Sequence, residues 1–554
     1  MAGLSIANNV QLSNVSIVNT GSFIRVKFDV SWENSWRVNT GQNNYDGVWV
    51  FFKYREKNST EWKHLFLTGQ NNVEPAGGSI FQLDPSYVAP LKGSPFNACQ
   101  GAIIYRAGNG IGNVSFTNIA LGVLSNLSYD IEVRGFAIEM VYIPSALDQT
   151  IYLGDGDGTN ESRNAFHKTD NTSYGYTFTH LNDVTQYPFI SIDSVASNIN
   201  NQDDEYIKDG NDGKFLKLAD SGWITLNGTS VFNTNKSWPT SQDAWCMKYE
   251  LSSAAYCDFL NTLSLKQQNN RTYYAVAPPT SPAGTRALTN EVNTKNAVVI
   301  KTPSVNGDPA VYGCDGNGNG IADEADDGQC IAVSHLILHD INAYMDWAGL
   351  SLMTEVLYER ICRGFTSAGP SQSVYGEFAW GNNQVANGLF TISNYNTAEE
   401  KIANQTLSAT FGYANYGGAT DTATRTSPKT PYALGMPMRN GIFAALPGGS
   451  NRITSGASFY GVMELSGNLQ EFCVALGNDE GRSFRGWHGD GVISEYGNAT
   501  TNYWPYSVGT VLRGGSYYNS EQSLRVSDRG QGRYSPSANQ RFGAVGGRGV
   551  LYRY

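Results

Sequence analysis

No stretch of the 554-residue chain reaches the roughly 20 consecutive apolar residues that a membrane-spanning helix needs, so membrane insertion is not expected. The opening residues, MAGLSIANNVQLSNVSIVN, carry neither the basic nor the apolar region of a signal peptide, and none is expected. The chain is read either as staying in the cytosol or as leaving the cell by another route, such as inside a particle released by lysis. Basic residues are also scarce. Lys and Arg number 38 against 49 Asp and Glu, a net charge of −11, and no basic stretch compensates. That balance excludes the electrostatic footprint of a nucleic-acid binder and points to partners that are neutral, locally basic or bridged by cations.

The seven cysteines, Cys99, Cys246, Cys257, Cys314, Cys330, Cys362 and Cys473, are odd in number and irregular in spacing, so they do not form a disulfide framework. There is no CxxC and no zinc-type Cys/His cluster. Outside the pair Cys314 and Cys330, the thiols read as buried and free. No period of 20–50 residues recurs, which excludes solenoids and propellers.

The chain does hold 60 glycines and 12% aromatics, with only 16% charged residues. That profile suits a loop-rich and turn-rich fold, at a length for roughly two to four domains. Residues 1–138 read as an all-β sandwich. FIRVKFDVSW (Phe23–Trp32), VWVFFKYR (Val48–Arg55), WKHLFL (Trp62–Leu67) and YDIEVRGFAI (Tyr129–Ile138) alternate apolar and polar residues between turn-rich segments. Asp29, Glu33 and Asp46 read as solvated turn or strand residues, and the module as one for attachment or docking. From about residue 160 to 245 the composition turns to Asn, Asp, Ser and Thr. GDGDG (Gly154–Gly158) reads as a tight acidic turn, with a calcium loop as the alternative.

Three helices are predicted. Ser252 or Ser253 caps the first, with Ala254, Ala255, Tyr256, Phe259 and Leu260 at helical spacing. The second spans about His335–Ala348. The third starts at Thr354, carries Glu355 in its first turn and stops at Gly364. His335 and His339 are four apart, a spacing that can bind metal, but HLILH lacks the glutamate of a zinc protease between them. Both read as surface or packing histidines.

The sharpest local motif is CDGNGNGIADEADDGQC (Cys314–Cys330). Counted from Asp315, residues Asp315, Asn317, Asn319, Gly320, Ile321, Asp323 and Asp326 occupy positions one, three, five, six, seven, nine and twelve of an EF-hand-type calcium loop. Small oxygen donors at this spacing wrap a hard cation, Ile321 offers its carbonyl, and Gly320 makes the sharp turn. Asp rather than Glu at the last position predicts weaker affinity. Cys314 and Cys330 flank the loop where its ends approach, and a disulfide between them is expected in an oxidising setting.

Near the C-terminus, Gly461–Val550 reads as a frame of glycines and apolar residues that displays polar and aromatic ones. Tyr517, Tyr518, Asn519, Ser520, Asp528, Gln531, Tyr534, Ser535, Asn539, Gln540 and Phe542 form a mixture like that of a paratope. Tyr supplies amphipathic contact area at low entropy cost, and Ser and Asn adapt their hydrogen bonds. Trp487, Tyr503 and Trp504 are expected at the rim.

Several segments together resemble one family. KYELSSAAYCDFL (Lys248–Leu260), DINAYMDWAGLSLMTEVLYERICRG (Asp340–Gly364), EFAWGN (Glu377–Asn382), GVMELSGNLQEF (Gly461–Phe472) and VLRGGSYYN (Val511–Asn519) resemble, in order, the elements of the formylglycine-generating, or sulfatase-modifying, family. The resemblance runs from about Met140 to the C-terminus. It implies an α+β, loop-rich, C-type-lectin-like fold over 139–554, preceded by the β-sandwich, with the calcium loop (314–330) as an insert. In that family a copper-binding pair of cysteines follows RGGS. The matching positions here are about Asn519 and Leu524, and amide and aliphatic groups cannot make a thiolate copper site. The three-histidine site of the related non-haem iron enzymes, on a separate helical domain, is also missing. The family further implies a structural ion at Asn468 and the carbonyl of Leu469.

Segment 511–550 is more similar to the variable proteins of diversity-generating retroelements, in which a lectin-like C-terminal segment is mutagenised and shown to ligands. The expected function is therefore a non-catalytic display protein, on a phage tail or similar extracellular particle. Its expected partners are a host cell-surface protein or glycan, other particle proteins through residues 1–138, and further copies of itself, as a trimer or another oligomer. The alternatives are a sulfatase-modifying-like oxidase or carbohydrate-active enzyme, and a structural particle protein.

Overall fold

Apart from short breaks, the computed structural model describes residues 9–83, 98–144, 243–364, 374–417, 436–529 and 541–553, together with the strand Leu4–Ser5 and seven short strands between Ile151 and Ser230. Alternation decides the first sheet. Along the strand Ile24–Arg37, Val26, Phe28, Val30 and Trp32 are buried while their neighbours are more exposed. This strand pairs antiparallel with Val10–Asn19 on one side and Gly110–Gly122 on the other, and Leu4–Ser5 completes four strands.

The strand Asp46–Glu56 behaves differently, with both faces buried from Val48 to Phe52. Val48, Val50 and Phe52 join Val26, Phe28 and Val30 in a core between the two sheets. Trp49 and Phe51 point the other way, into a larger core with the helices. A continuous apolar run is what a central strand with cover on both sides requires. Of WKHLFL, only Lys63–His64 forms a strand.

The second sheet does not stop at residue 138. The strand Ile131–Ile143 crosses that position, pairs with Asp46–Glu56 and then with Asp243–Met247. Asp243–Met247 pairs with Gly549–Arg553, and that strand with Ser351–Leu352. The expected boundary between 138 and 139 thus falls inside a strand, and the two regions share one eight-stranded sheet.

Side chains tighten this union. The rings of Phe51 and Phe136 each lie 4.9 Å from Trp347, and Phe259 lies 5.4 Å from it. Trp49 Nε1 donates to the Ala348 carbonyl at 2.8 Å. The fully enclosed Lys53 ammonium donates to the carbonyls of Trp347 (2.8 Å) and Gly491 (2.7 Å) and lies 2.9 Å from His64 Nδ1. Burial holds the Lys53 pKa well below the usual lysine value.

Helix α1 (Ser253–Leu260) is capped by Ser252, whose hydroxyl accepts the Ala255 N–H. Helix α2 (Leu265–Arg271) carries a capping box of Ser264 and Gln267, a signal present in the sequence as SLKQ. Helix α3 (Leu338–Ala348) begins three residues later than expected, because Asp340 turns back to accept the Ile337 N–H at 3.1 Å. His335 lies before the helix at φ 63°, so His335 and His339 do not share a helix face. Helix α4 (Glu355–Arg363) runs from cap Thr354 to Gly364 as expected. The rest is mostly strand, turn and loop, a β-rich chain with few helices.

Candidate binding face

The face is built on buried ion pairs that fasten the C-terminal motifs to the core. Helix α4 places Glu355 and Glu359 four residues apart on one face, both fully buried. Glu355 accepts from Arg529 at 2.6 and 3.0 Å. Glu359 pairs with Arg513 of RGGS and with Arg363. Glu471 of GNLQEF holds Arg548 of GGRGV through both oxygens, and Arg548 also donates to the carbonyls of Met247, Lys248 and Met463. Gly515 is required where it stands: its φ is 65°, and a Cβ there would lie 2.8 Å from the Ser523 carbonyl.

This frame displays fewer residues than the sequence suggested. Tyr518 is 50% exposed and Phe542 45%, and Ser520 is exposed. Asn519 is half-buried; its side-chain oxygen accepts the Ser516 hydroxyl and its carbonyl accepts the Gly417 N–H. Asp528 is half-buried, with its carbonyl accepting from Arg513 at 2.7 Å. Tyr517 is not displayed. Its ring packs against Ala332 and Leu469, its N–H donates to the Asn468 carbonyl, and burial raises its hydroxyl pKa. Gln531, Tyr534, Ser535, Asn539 and Gln540 lie outside the described residues.

At the expected rim, Trp487 is half-buried and Tyr503 is 44% exposed at φ 63°, an uncommon backbone conformation for a tyrosine. Their rings meet edge to face at 5.2 Å, and Arg485 lies over Tyr503 at 4.3 Å. Trp504 is buried instead, with its indole N–H on the Trp487 carbonyl at 2.9 Å. Tyr506, 58% exposed and 4.2 Å from the His339 ring, was missed, although its place three residues after Tyr503 was a signal.

His335, which the sequence reads as a surface or packing histidine, is buried and joined to Phe542. Its backbone N–H donates to the Phe542 carbonyl at 3.1 Å, while Arg541, paired with Asp340, donates to the His335 carbonyl. Arg541 and Phe542 are thus both tied to the His335 backbone. The His335 ring lies 2.9 Å from the Ser334 hydroxyl and 3.3 Å from Glu291, and burial lowers its pKa. A Cβ at Gly543 would meet both the Tyr517 hydroxyl and this ring, so Gly543 leaves them room. A cavity of about 50 Å³ lies elsewhere, lined by Phe136, Tyr249, Asp258, Tyr344 and Trp347, and has room only for a few waters.

In the acidic loop, Asp315 is buried and its two oxygens accept the N–H groups of Gly318 and Gly320. Asn317 accepts from the N–H of Asn319, and Asn319 from that of Ile321, whose side chain is exposed. Asp323 sits at φ 72°, accepts the Cys314 N–H and pairs with Lys301 at 2.7 Å. Asp326 instead gathers with Glu324 and Asp327.

One further expectation is corrected. Cys314 and Cys330 are free thiols. Cys314 Sγ lies 3.9 Å from Cys257 Sγ on α1, and Cys330 turns to donate to the Thr397 carbonyl. At the family-implied ion position of Asn468 and Leu469, the Asn468 side chain is hydrogen-bonded through both its oxygen and its nitrogen. Its Oδ1 accepts from Met438 N and Asn415 Nδ2, and its Nδ2 donates to Glu250, which also takes the Leu469 N–H. At the positions of the family's reactive cysteines, Asn519 is half-buried and Leu524 fully buried.

A comparison with curated proteins finds no match. The family described as "Sulfatase-modifying factor enzyme 1-like domain" matches residues 225–544, more than half of the chain, and the chain therefore belongs to that family.

Proposed function

We propose that the chain is a non-catalytic binding protein that presents a C-terminal face to a cell-surface protein or glycan. The observation that carries this reading is the pairing of a rigid frame with exposed aromatic tips. Arg513, Arg529 and Arg548 are locked by buried carboxylates, and Tyr518 and Phe542 stand out from that frame. Rigid aromatics on a fixed scaffold lose little entropy on binding. The family domain occurs in both enzymes and non-catalytic proteins, and Asn519 and Leu524 in place of reactive thiols favour the second class.

In this proposal the fold of the family region is C-type-lectin-like, and the first 138 residues form a sandwich that attaches to other proteins of a phage tail or similar extracellular particle. The shared sheet and the Lys53 ties would then hold the face at a fixed angle to the particle. Copies assembled as a trimer or other oligomer would add avidity. The face would be diversified by a retroelement, and the acidic loop would hold calcium.

The test uses the full chain on arrays of glycans and cell-surface proteins, beside Tyr518→Ala and Phe542→Ala. Binding that both variants lose, with unchanged melting, is expected. The rival oxidase predicts conversion of cysteine to formylglycine, with release of hydrogen sulfide, in a sulfatase peptide supplied with copper, oxygen and a thiol reductant, and the proposal predicts none. Conversion there, or binding indifferent to both substitutions, contradicts the proposal.

A further inference from the structure

The acidic loop carries more carboxylates than its sequence motif counts, and the geometry divides them. The Asp323 oxygens are engaged by the Cys314 N–H and the Lys301 ammonium. Glu324, Asp326 and Asp327 instead each bring one oxygen within 4.8 Å of the other two. Asp326 is exposed and Glu324 half-buried, but Asp327 has no exposed surface. One Asp327 oxygen accepts the Glu324 N–H at 2.7 Å. The other, Oδ1, is buried and has no hydrogen-bond partner among the described residues.

That orphan oxygen separates this cluster from an ordinary acidic turn. A buried carboxylate oxygen without a donor is costly, and the Glu324 and Asp326 carboxylates gathered with Asp327 add repulsion. Water would relieve the first cost but not the second; a cation relieves both. Asn319 is tied to the same group, its amide nitrogen donating to Glu324 at 2.6 Å. The backbone also closes here, with the Gly316 N–H on the Asp327 carbonyl at 3.0 Å, so Asp327 lies where the loop returns to its start.

We propose that the loop holds a divalent cation through Glu324, Asp326 and Asp327, and that Asp323 acts as a cap that fastens the loop to Cys314 and Lys301. The inference rests on the reading of this loop as a cation site and replaces part of its ligand set. Three carboxylates on a glycine-rich loop suit calcium, which accepts irregular oxygen shells, better than magnesium, which demands a near-ideal octahedron.

The experiment is calorimetric titration of calcium chloride, and separately magnesium chloride, into the chelator-stripped full chain and its Asp327→Asn, Asp326→Asn and Asp323→Asn variants. Asn at 323 still accepts the Cys314 N–H, so that variant keeps its cap. Calcium is expected to bind the wild-type chain more tightly than magnesium does. Asp327→Asn and Asp326→Asn are each expected to weaken calcium by about tenfold or more, and Asp323→Asn to change it little. Asp326 is exposed, so its variant keeps the test if Asp327→Asn does not fold. Absence of calcium binding to the wild-type chain overturns the cation loop itself. Binding lost in Asp323→Asn and kept in the other two overturns this ligand assignment and leaves the loop standing.

Discussion

The guanidinium of Arg548 and the carboxylate of Glu471, both buried, meet through three hydrogen bonds of 2.6–2.9 Å. Two motifs that the sequence shows far apart, GNLQEF and GGRGV, are thus one structural joint. Removing one partner of such a pair leaves a buried charge alone. Glu471→Gln and Arg548→Met are each expected to cost about 3–5 kcal/mol in urea denaturation. The double variant Glu471→Leu/Arg548→Met is expected to cost clearly less than the sum, because neither charge is then stranded.

Glu464 gives a pH dependence of definite sign. It is buried, one oxygen accepts the Gly441 N–H at 2.8 Å, the other has no hydrogen-bond partner among the described residues, and burial pushes its pKa from 4.5 up to about 7. The folded chain therefore holds this proton more tightly than the unfolded chain does. The resulting stabilisation is fully present below about pH 4.5 and is lost as pH rises to about 7, by at most about 3 kcal/mol. Glu464→Gln is expected to flatten the stability profile over that window. An unchanged slope contradicts the assignment.

Adjacent tyrosines should behave oppositely. Tyr517 packs among Ala332 and Leu469, and its truncation to Ala is expected to cost about 3 kcal/mol. Tyr518 is half exposed, and the same change there is expected to stay within about 0.5 kcal/mol. Thermal melts of the two variants check this directly.

The thiols make a separate prediction. Cys257 and Cys314 are 3.9 Å apart, while Cys330 faces Thr397. A disulfide oxidant such as oxidised glutathione should cross-link the first pair, each thiol giving up its hydrogen as the oxidant is reduced. Peptide mapping is expected to find Cys257 linked to Cys314, and a Cys314–Cys330 link contradicts it.

The sequence carried the frame better than the face. The capping residues Ser252 and Thr354, the strand alternation of Val26 to Trp32 and the glycine at 515 are local requirements, readable wherever they occur. Tyr517 and Tyr518 look alike in sequence because both follow the same turn; which of them is buried depends on Leu469 and Ala332, distant in the chain. Helix α3 starts later than helical spacing suggests because Asp340 caps it from inside and His335 takes a left-handed turn. The strand Ile131–Ile143 runs past residue 138 because Asp243–Met247, about a hundred residues on, pairs with its end, a partner that local alternation does not reveal.

The central claim is that a fixed frame carries an exchangeable recognition face. Deep sequencing of the coding segment for 511–550 within one population tests it most directly. The account predicts substitutions concentrated at Tyr518, Asn519, Ser520, Phe542 and the stretch 531–540, with Arg513, Gly515, Arg529 and Arg548 unchanged. A segment as invariant as the rest of the gene, or variation spread evenly over frame and face, contradicts it.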